Sequence, residues 1–441
     1  MDTLQAPPRL RRLDPERLPR EAGAPLDPDV QAAAAAIVED VRLRGERALR
    51  EHAERLGDLT PGAPLVVERA GLEAALADLP ADHRALLERT AARIRTFAEA
   101  QRGCLRDLDL PVPGGRAGHR WLPVAAAGCY APGGRYPLPS SVLMTGLPAR
   151  IAGVGELTVA SPRPGPLTLA AAAVAGADRL LAVGGAQGIA GLAFGLGGGA
   201  PADVVVGPGN AWVTAAKRHL VGEVGIDGLA GPSELVVLAD GTADPELVAA
   251  DLLGQAEHDP EAAPVLVTTD AGLVPRVEAA LARQLEDLPT AAVARAALAG
   301  QGAAVVVPDL AAAAAVADRL APEHLELLVA DPAALAGLAE RVTCYGGLFV
   351  GAGSGEVLGD YGAGPNHVLP TAGGARFQAG LSVATFLRPA TFLALDGEGD
   401  EDAAAFADLA ADAAALARLE GLEAHARSAE RAVRARRAEV R

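Results

Sequence analysis

The feature that most constrains the fold of this 441-residue chain is a regular alternation, from about residue 120, of short apolar runs with Ala/Leu-rich stretches of helical pattern. Continuous apolar strands alternating with helices are typical of parallel sheets covered on both faces. The runs are LTVA (157–160), RLLAV (179–183), DVVVG (203–207), ELVVLA (234–239), PVLVTT (264–269), AAVVV (303–307), LELLVA (325–330) and GLFVG (347–351). These strands are too many for a single sheet, and the pattern therefore predicts two doubly wound α/β units.

The remaining segments carry mostly helical patterns. Asp27 followed by Pro28 is a good helix start, and the helix is predicted to run to about Leu56. A second helical pattern covers Asp82–Cys104, and PVPGGRAG after it indicates a turn. Residues 1–26, rich in Pro and Arg, are expected to form an arm, and the last 40 or so residues are expected to be helical with a charged surface.

Charge and composition exclude several classes of protein. A formal net charge of −17 argues against a nucleic-acid partner or an anionic membrane surface, because both need a basic footprint. Three widely spaced cysteines without a CxxC pair are typical of reduced thiols in a cytosolic protein. The N-terminus has no apolar run and is not expected to be a signal peptide. The most apolar stretch is broken by Asp178 and Arg179, so no membrane span is predicted.

Three glycine-rich motifs follow apolar runs: GCYAPGG (128–134), VGGAQGIAG (183–191) and VGPGNAW (206–212). In doubly wound folds ligands bind beyond the carboxyl ends of the strands, and glycine-rich strand-to-helix turns offer free N–H groups to anions. Neither of the last two is a GxGxxG fingerprint, and each alone fits a tight βα turn. Two in succession, with Gln187 and Asn210 at their tips, leave a nucleotide site and plain turns as equal alternatives.

Polar residues stand out in two further segments. Ser233 in GPSEL could cap a turn. Glu323 and His324 in RLAPEHLEL are expected in a loop entering the next strand, where Glu could activate water and His could shuttle protons. A surface acid beside a capping histidine is the alternative. The glycine-rich GDYGAGPNHVLPT contains Asp360, a plausible hard ligand, and His367, which could equally hold the loop together.

A metal site is one interpretation of two other residue pairs. Gln255 and His258 in LLGQAEHDP share a helix face and could form half a zinc site, or could cap the helix. Glu420 and His425 are five residues apart, about 140° around a helix, and could face one site only if a helix begins between them. No HExxH or CxxC pair supports a metal, so the residues alone leave both interpretations open.

Taken in order, these motifs strongly resemble the histidinol dehydrogenase family. The resemblance is carried from about residue 120 to 430 by GCYAPGGRYPLPSSVLM, GGAQGIAGLAFG, VGPGNAWVTAAKR, GPSELVVLAD, DLLGQAEHDP, LAPEHLEL, GDYGAGPNHVLPT, ARFQAGLSVATFLR and LEGLEAHARSAERA. The first 100 residues match only in general helical character. The resemblance implies oxidation of L-histidinol to L-histidine through the aldehyde, in histidine biosynthesis, with two NAD and one zinc per subunit.

The resemblance also implies roles for individual residues. It implies Glu323 as the group that activates water and His324 as the general base. The implied zinc ligands are Gln255, His258, Asp360 and His425. The implied NAD contacts are Tyr130, Gln187 and Asn210. The implied substrate contacts are Ser233, Gln255, His258, His324, Asp360, Glu420 and His425. Cys129 is not needed as a nucleophile, and Lys217 is expected to be solvated on its helix.

The expected architecture is two doubly wound, incomplete Rossmann-like parallel-sheet domains with a helical N-terminal arm and a helical C-terminal tail. The expected boundaries are 1–26 for the arm, 27–125 with 234–375 for the first domain, 126–233 for the NAD-side domain and 376–441 for the tail. The family resemblance implies a cytoplasmic homodimer in which the tail completes the partner's site. Alternatives are a cofactor-free zinc hydrolase, a non-catalytic binding protein and a dehydrogenase of another amino alcohol.

Overall fold

The computed structural model describes residues 8–18, 26–133 and 137–439, with no side-chain description for 436–439. The chain divides into two compact units. Unit 1 comprises Met1–Arg102 and Val124–Phe386, and unit 2 comprises Gly103–Pro123 and Leu387–Arg441. Unit 1 contains two six-stranded sheets and unit 2 a three-stranded one, so the fold is mixed α/β as the strand–helix alternation predicts.

The first sheet of unit 1 is entirely parallel. In spatial order its strands are β1 (Arg11–Leu13), β12 (Ala303–Val306), β11 (Ala263–Thr268), β10 (Glu234–Ala239), β13 (His324–Leu328) and β14 (Gly347–Val350). Five helices pack on it: α9 (Pro245–Ala256), α10 (Leu273–Gln284), α11 (Ala291–Gly300), α12 (Leu310–Leu320) and α13 (Pro332–Arg341). Successive β10 residues alternate between two cores, because Val237 packs with α9–α11 and Val236 with α12 and α13.

The second sheet is parallel except at one edge, where β2 runs antiparallel to β7. Its strands in spatial order are β2 (Val66–Glu68), β7 (Arg179–Leu181), β6 (Glu156–Ala160), β5 (Ala126–Tyr130), β8 (Val204–Val206) and β9 (Gly225–Ile226). Its helices are α1 (Pro28–Arg44), α2 (Glu46–Arg55), α3 (Arg69–Ala77), α5 (Pro139–Ala152), α6 (Pro166–Ala175), α7 (Gly185–Ala193) and α8 (Ala211–Leu220). One core joins α1, α2, α7 and α8 to the sheet.

Unit 2 is built on an antiparallel sheet with the order β15-β4-β3. The strands are β3 (Leu108–Val112), β4 (Gly115–Pro123) and β15 (Leu387–Ala394), and the helices are α15 (Asp400–Leu419) and α16 (Glu423–Glu439). β3 and β4 form a hairpin across Pro113 and Gly114, which confirms the predicted turn, and Gly114 has a φ of +83°. The remaining helices are α4 (Ala81–Cys104) and α14 (Glu356–Asp360), with 3-10 turns at Pro15–Arg17, Gly374–Arg376 and Val383–Phe386.

Most of the predicted elements are confirmed. All eight apolar runs form strands, and the helix predicted from Asp82 is α4. Asp27 caps α1 by accepting a hydrogen bond from the N–H of Asp29. The single helix predicted from residue 28 to about 56 is wrong, because Gly45, with a φ of +62°, divides it into α1 and α2. None of the described helices is long and apolar enough to cross a membrane.

The domain organisation differs from the expected boundaries in several places. Gly103–Pro123, expected in the first domain, belong to unit 2, and the second segment of unit 2 begins at Leu387 and not at residue 376. α1 and α2 lie with the second sheet, because Ile37 and Leu49 share a core with Leu181 and not with the 234–350 strands. The expected arm, where it is described, adds β1 to the edge of the first sheet and buries Leu10; residues 1–7 and 19–25 lie outside the described residues. The expected helical tail also contains strand β15.

Candidate active site

The end of α9 carries the first part of the site. Gln255 lies in the last turn and is completely buried, and His258 follows the helix and is exposed. Neither amide atom of Gln255, Oε1 or Nε2, has a hydrogen-bond partner. A buried amide left unpaired costs about 1–3 kcal/mol, so this position is suited to a ligand that satisfies it. The helix-cap interpretation of Gln255 is wrong, since its side chain bonds no backbone group.

A short helix brings two carboxylates to the same place. α14 carries Glu356 in its first turn and Asp360 at its end, and ligand atoms of Glu356, Asp360 and His258 all lie within 4.8 Å of one another. Oδ1 of Asp360 is buried and has no hydrogen-bond partner. Imidazole nitrogen and carboxylate oxygen suit a divalent metal such as zinc. His258 and Asp360, expected as ligands, therefore lie in a cluster whose donors fit a metal, and Gln255, also expected as a ligand, lies three residues before His258.

Glu356 was missed by the sequence reasoning. Its spacing of four residues from Asp360 on one short helix was the available signal, because residues i and i+4 share a helix face. Glu356 is 5% exposed, and burial raises its pKa to about 8, which the charge of His324 opposes. A carboxyl group at this position would regain its charge beside a bound cation.

His324 is the first residue of strand β13 and Glu323 precedes it, and both are buried, with 3% and 7% of their surface exposed. The alternative of a surface acid beside a capping histidine is therefore wrong. Oε2 of Glu323 accepts the N–H of Glu234 at 3.0 Å, and Nδ1 of His324 donates to the carbonyl of Glu234 at 3.1 Å. The backbone of β10 thus orients both side chains and leaves Nε2 of His324 without a hydrogen-bond partner.

Burial and the surrounding charges shift the pKa values of both Glu323 and His324. Burial raises the pKa of Glu323 to about 7, although the neighbouring His324 lowers it. Burial alone would lower the pKa of His324, but Glu323, Glu356 and Asp360 raise it to about 10. Nε2 of His324 lies 3.6 Å from Oδ1 of Asp360. A bound divalent cation would offset these carboxylate charges and return the imidazole toward its neutral, proton-accepting form.

Ser233, Glu323 and His367 line a cavity of about 100 Å³ together with Gly207–Gly209, Lys217 and Asp227. His367 donates from Nδ1 to the backbone carbonyl of Asp360 at 2.9 Å, and burial lowers its pKa. This bond holds the Asp360 loop in place, one of the two alternatives left open by the sequence. Lys217 is not solvated on its helix as expected, because it is buried in an ion pair with Asp227.

A larger cavity, of about 690 Å³, is lined by all three expected NAD contacts: Tyr130, Gln187 and Asn210. Tyr130 is the last residue of β5, and Gln187 and Asn210 follow β7 and β8, so all three lie at the carboxyl ends of strands. Oδ1 of Asn210 caps α8 through the N–H groups of Trp212 and Val213, and the hydroxyl of Tyr130 accepts the N–H of Gly185 at 3.1 Å. His258 lines this cavity as well, so it adjoins the metal-ligand cluster.

Asp58 orients one of these contacts, and sequence reasoning missed it because the loop after α2 has no motif. Its Oδ2 accepts the N–H of Gly184 and Nε2 of Gln187, both at 2.8 Å. The amide of Gln187 is thereby fixed, and its buried Oε1 has no hydrogen-bond partner. That oxygen is available to accept a hydrogen bond from a ligand in the cavity.

The rule that ligands bind at the carboxyl ends of strands applies to only one of the two sheets. Ser233 precedes β10, and Glu323 and His324 stand at the start of β13, so these residues lie at the amino ends of the first sheet. α9 returns antiparallel to β10, and its C-terminal end places Gln255 on the same side. The candidate site is thus formed by amino ends of one sheet and carboxyl ends of the other.

Glu420 and His425 belong to unit 2. Glu420 is the C-terminal cap of α15, Gly421 has a φ of +80°, and α16 begins at Glu423. A helix therefore does begin between the two residues, which was the condition for both to face one site. Both side chains are exposed at this turn.

Cys129 lies fully buried in β5, and burial raises the pKa of its thiol to about 12. A thiol that keeps its proton at neutral pH is a poor nucleophile. Cys104, Cys129 and Cys344 are all unpaired.

Residues 23–434 match the family model described as histidinol dehydrogenase. The histidinol dehydrogenase of Thermus thermophilus is 49% identical over 411 residues, covering 92% of this chain and 95% of that protein. That of Caulobacter vibrioides is 44% identical over 416 residues, covering 93% and 94%. The crystal structure of histidinol dehydrogenase from Elizabethkingia anophelis superposes with a TM-score of 0.86 at 29% identity, covering 97% and 98% of the two chains. With sequence and fold in agreement over nearly its whole length, the chain belongs to the histidinol dehydrogenase family and is an NAD-dependent oxidoreductase.

Proposed function

We propose that this protein oxidises L-histidinol to L-histidine through the aldehyde, consuming two NAD and using one zinc per subunit, as a cytoplasmic step of histidine biosynthesis. The observation that carries the proposal is the buried Glu323–His324 pair beside the His258, Glu356 and Asp360 cluster, next to a cavity of dinucleotide size. An acid–base pair, a metal-ligand set and a cofactor cavity are the three parts such a reaction needs.

The zinc ligands are Gln255, His258 and Asp360 of one subunit and His425 of the partner chain. The unpaired buried amide of Gln255 and the unpaired Oδ1 of Asp360 support this set, since a cation would satisfy the oxygen of each. Zinc, when bound, supplies a positive charge that orients the imidazole and amine of histidinol. Ser233 and Glu420 then contact the substrate, together with His324 and the four zinc ligands.

His324 is the general base. Its Nδ1–H is held by the carbonyl of Glu234, so Nε2 faces the site and takes the hydroxyl proton of the alcohol in the first oxidation. Glu323 activates the water that hydrates the aldehyde. His324 releases its first proton to solvent and then removes a proton from the hydrate in the second oxidation. NAD, when bound in the large cavity, would supply the hydride acceptor for each oxidation.

Tyr130, Gln187 and Asn210 bind NAD in the 690 Å³ cavity. Asn210 stands at the start of α8, where the helix dipole favours a phosphate. Gln187 instead offers its unpaired Oε1, an acceptor that pairs with an N–H or O–H of the cofactor and not with a phosphate oxygen.

The dimer is part of the proposal because Glu420 and His425 lie on an exposed turn. Leu416, Leu419 and Leu422 around the same turn are also exposed, at 58%, 86% and 45%. Exposed leucines clustered with two polar residues at one turn are typical of a protein–protein contact. Insertion of this turn into the partner subunit would cover the leucines and deliver His425 to the metal.

The test is the stoichiometry of the reaction. Purified protein with zinc, excess NAD and a limiting amount of histidinol is expected to form two NADH per histidinol, with histidine as the product. Another amino alcohol of similar size is the control for the alternative substrate. One NADH per histidinol, or none, would contradict the proposal.

The shared site is tested by mixing two inactive variants. His258→Ala and His425→Ala each remove a ligand, so each alone is expected to lose zinc. Unfolding and refolding the two together produces mixed dimers in which one site keeps both histidines, so part of the activity returns. If refolded mixtures stay inactive while refolded wild type recovers, the ligands do not come from different subunits.

A further inference from the structure

The chain contains one lysine among 39 basic residues, and that lysine is buried. Lys217 lies on α8, and its side chain is 3% exposed. Its Nζ donates to Oδ1 of Asp227 at 2.5 Å and to the carbonyl oxygen of Gly207 at 2.6 Å. All the other Lys and Arg residues are arginine. Lysine differs from arginine in having a compact ammonium on a flexible stem in place of a planar guanidinium, and this buried position uses that difference.

The peptide group on the other side of Gly207 is also held. The N–H of Gly207 donates to Oδ2 of Asp227 at 2.6 Å. Lys217 and Asp227 therefore bind the carbonyl and the N–H of a single residue, and they neutralise each other in doing so. Gly207 has a φ of +118°, and a Cβ there would meet the carbonyl oxygen of Tyr130 at 2.0 Å. The backbone is thus fixed in a conformation that only glycine adopts easily.

The turn held in this way lines both cavities of the site. Gly207, Pro208 and Gly209 line the small cavity beside Ser233 and Glu323. Asn210 lines the large one, and its Oδ1 caps α8. The position of Asn210 and of the first N–H groups of α8 therefore depends on where Gly207 is held.

The substrate side of the site has independent supports. The N–H of Glu234 holds Glu323, and the carbonyl of Ser233 accepts the N–H of Ala263 at 3.0 Å. Neither bond involves the turn at 207–210. Although Lys217 lines the small cavity with Ser233 and Glu323, the bonds that hold these two residues are expected to survive a change at Lys217, so the main effect falls on the dinucleotide cavity.

We propose that Lys217 and Asp227 are positioning residues that hold the Gly207 peptide, so that the turn at 207–210 presents Asn210 and the start of α8 to the dinucleotide. The inference rests on the proposed function, because it takes the large cavity to be the NAD site. Neither residue takes part in chemistry. Lys217 is not proposed to form a Schiff base with the aldehyde, since its ammonium is held in an ion pair with Asp227 and also donates to a backbone carbonyl.

The test separates positioning from stability with a double variant. Lys217→Met alone leaves Asp227 buried without its partner, which destabilises a protein whatever the role of the pair. Lys217→Met with Asp227→Asn removes both charges and keeps an oxygen that can accept the N–H of Gly207. We expect this double variant to fold and to bind zinc and histidinol within twofold of wild type, with the Kd for NAD raised at least tenfold.

The control is Arg218→Met, which removes a positive charge from an exposed position next to Lys217 on α8. It is expected to bind NAD like wild type. A double variant with wild-type NAD affinity, or one that loses zinc, histidinol and NAD together, would overturn the inference. Wild type that forms no NADH from histidinol would instead contradict the proposed function, so the two failures are distinguishable.

Discussion

Glu234 offers a quantitative test of how the site is built, because the burial of its carboxyl group is offset only in part by the nearby His324 and Arg376. Its backbone orients Glu323 and His324, while its own Oε1 accepts the N–H of Ala372 at 3.0 Å. Burial raises the pKa of Glu234 from 4.5 to about 7, against the opposing effect of the Ala372 hydrogen bond. The folded protein therefore keeps a proton on this group at pH values where the unfolded chain releases it.

The sign and size of the effect follow from this difference. Stability is lost as pH rises from 4.5 to about 7, because the unfolded state binds fewer protons than the folded state in that window. Each pKa unit corresponds to about 1.4 kcal/mol, so ionised Glu234 destabilises the fold by about 3 kcal/mol at pH 8. Glu234→Gln keeps the acceptor oxygen for Ala372 and cannot ionise. Its advantage over wild type should therefore grow by roughly 2–3 kcal/mol between pH 5 and pH 8.

The assay is urea unfolding of wild type and Glu234→Gln at pH 5 and pH 8, with a chelator present so that metal binding does not contribute. Glu286→Gln, at an exposed position, controls for the loss of one negative charge. If Glu234→Gln differs from wild type by the same free energy of unfolding at both pH values, burial of Glu234 does not raise its pKa and the reasoning is refuted.

Three further predictions address the site. Glu323→Gln is expected to lower kcat for the aldehyde by about 10²–10⁴-fold and kcat for the alcohol by less, because a general base contributes on that scale. Equal losses in separate assays of the two substrates would contradict the assignment of Glu323 to water activation. Asp58→Ala is expected to raise the Kd for NAD several-fold and to leave the Kd for histidinol unchanged, since it frees the Gln187 amide. Calorimetric titration with each ligand measures both Kd values, and an unchanged Kd for NAD would count against Gln187 as a fixed acceptor. Gly207→Ala is expected to lower the free energy of unfolding by about 3 kcal/mol or more, because of the positive φ and a clash with Tyr130. Its Tm is compared with that of Gly254→Ala, where a Cβ meets open space in α9, and equal Tm values would refute the argument.

The elements of the fold were predictable because their causes are local. An apolar run of four to six residues with flanking glycines buries both faces of a strand wherever it lies in the sheet, and each such run is a strand. The N-cap at Asp27 is equally local. The break at Gly45 was missed because helical periodicity continues through it, and only the φ of +62° reveals the interruption.

The site was predictable in part. Sequence motifs predicted Glu323, His324, Gln255, His258 and Asp360 as site residues. The structure brings Glu323 and His324 close to each other and His324 close to Asp360, which clusters with His258. Glu356, Asp58 and the Lys217–Asp227 pair were missed, because each acts on a residue distant in the chain or belongs to no polar motif. Lys217 and Asp227 are ten residues apart in the chain, and both bind the backbone of Gly207, which lies in a separate turn.

The sequence by itself determined the strands and helices, the doubly wound class and the residue types available for chemistry, since these follow from periodicity, caps and composition. Only the tertiary structure decided that Glu323 and His324 lie at the amino ends of one sheet while the glycine turns with Gln187 and Asn210 lie at the carboxyl ends of the other. Strand order and the direction of the helices set those distances, and both depend on packing between residues as far apart as 235 and 324. The burial of Lys217 has the same origin, because one lysine on an Ala-rich helix becomes structural only once Asp227 and Gly207 fold against it.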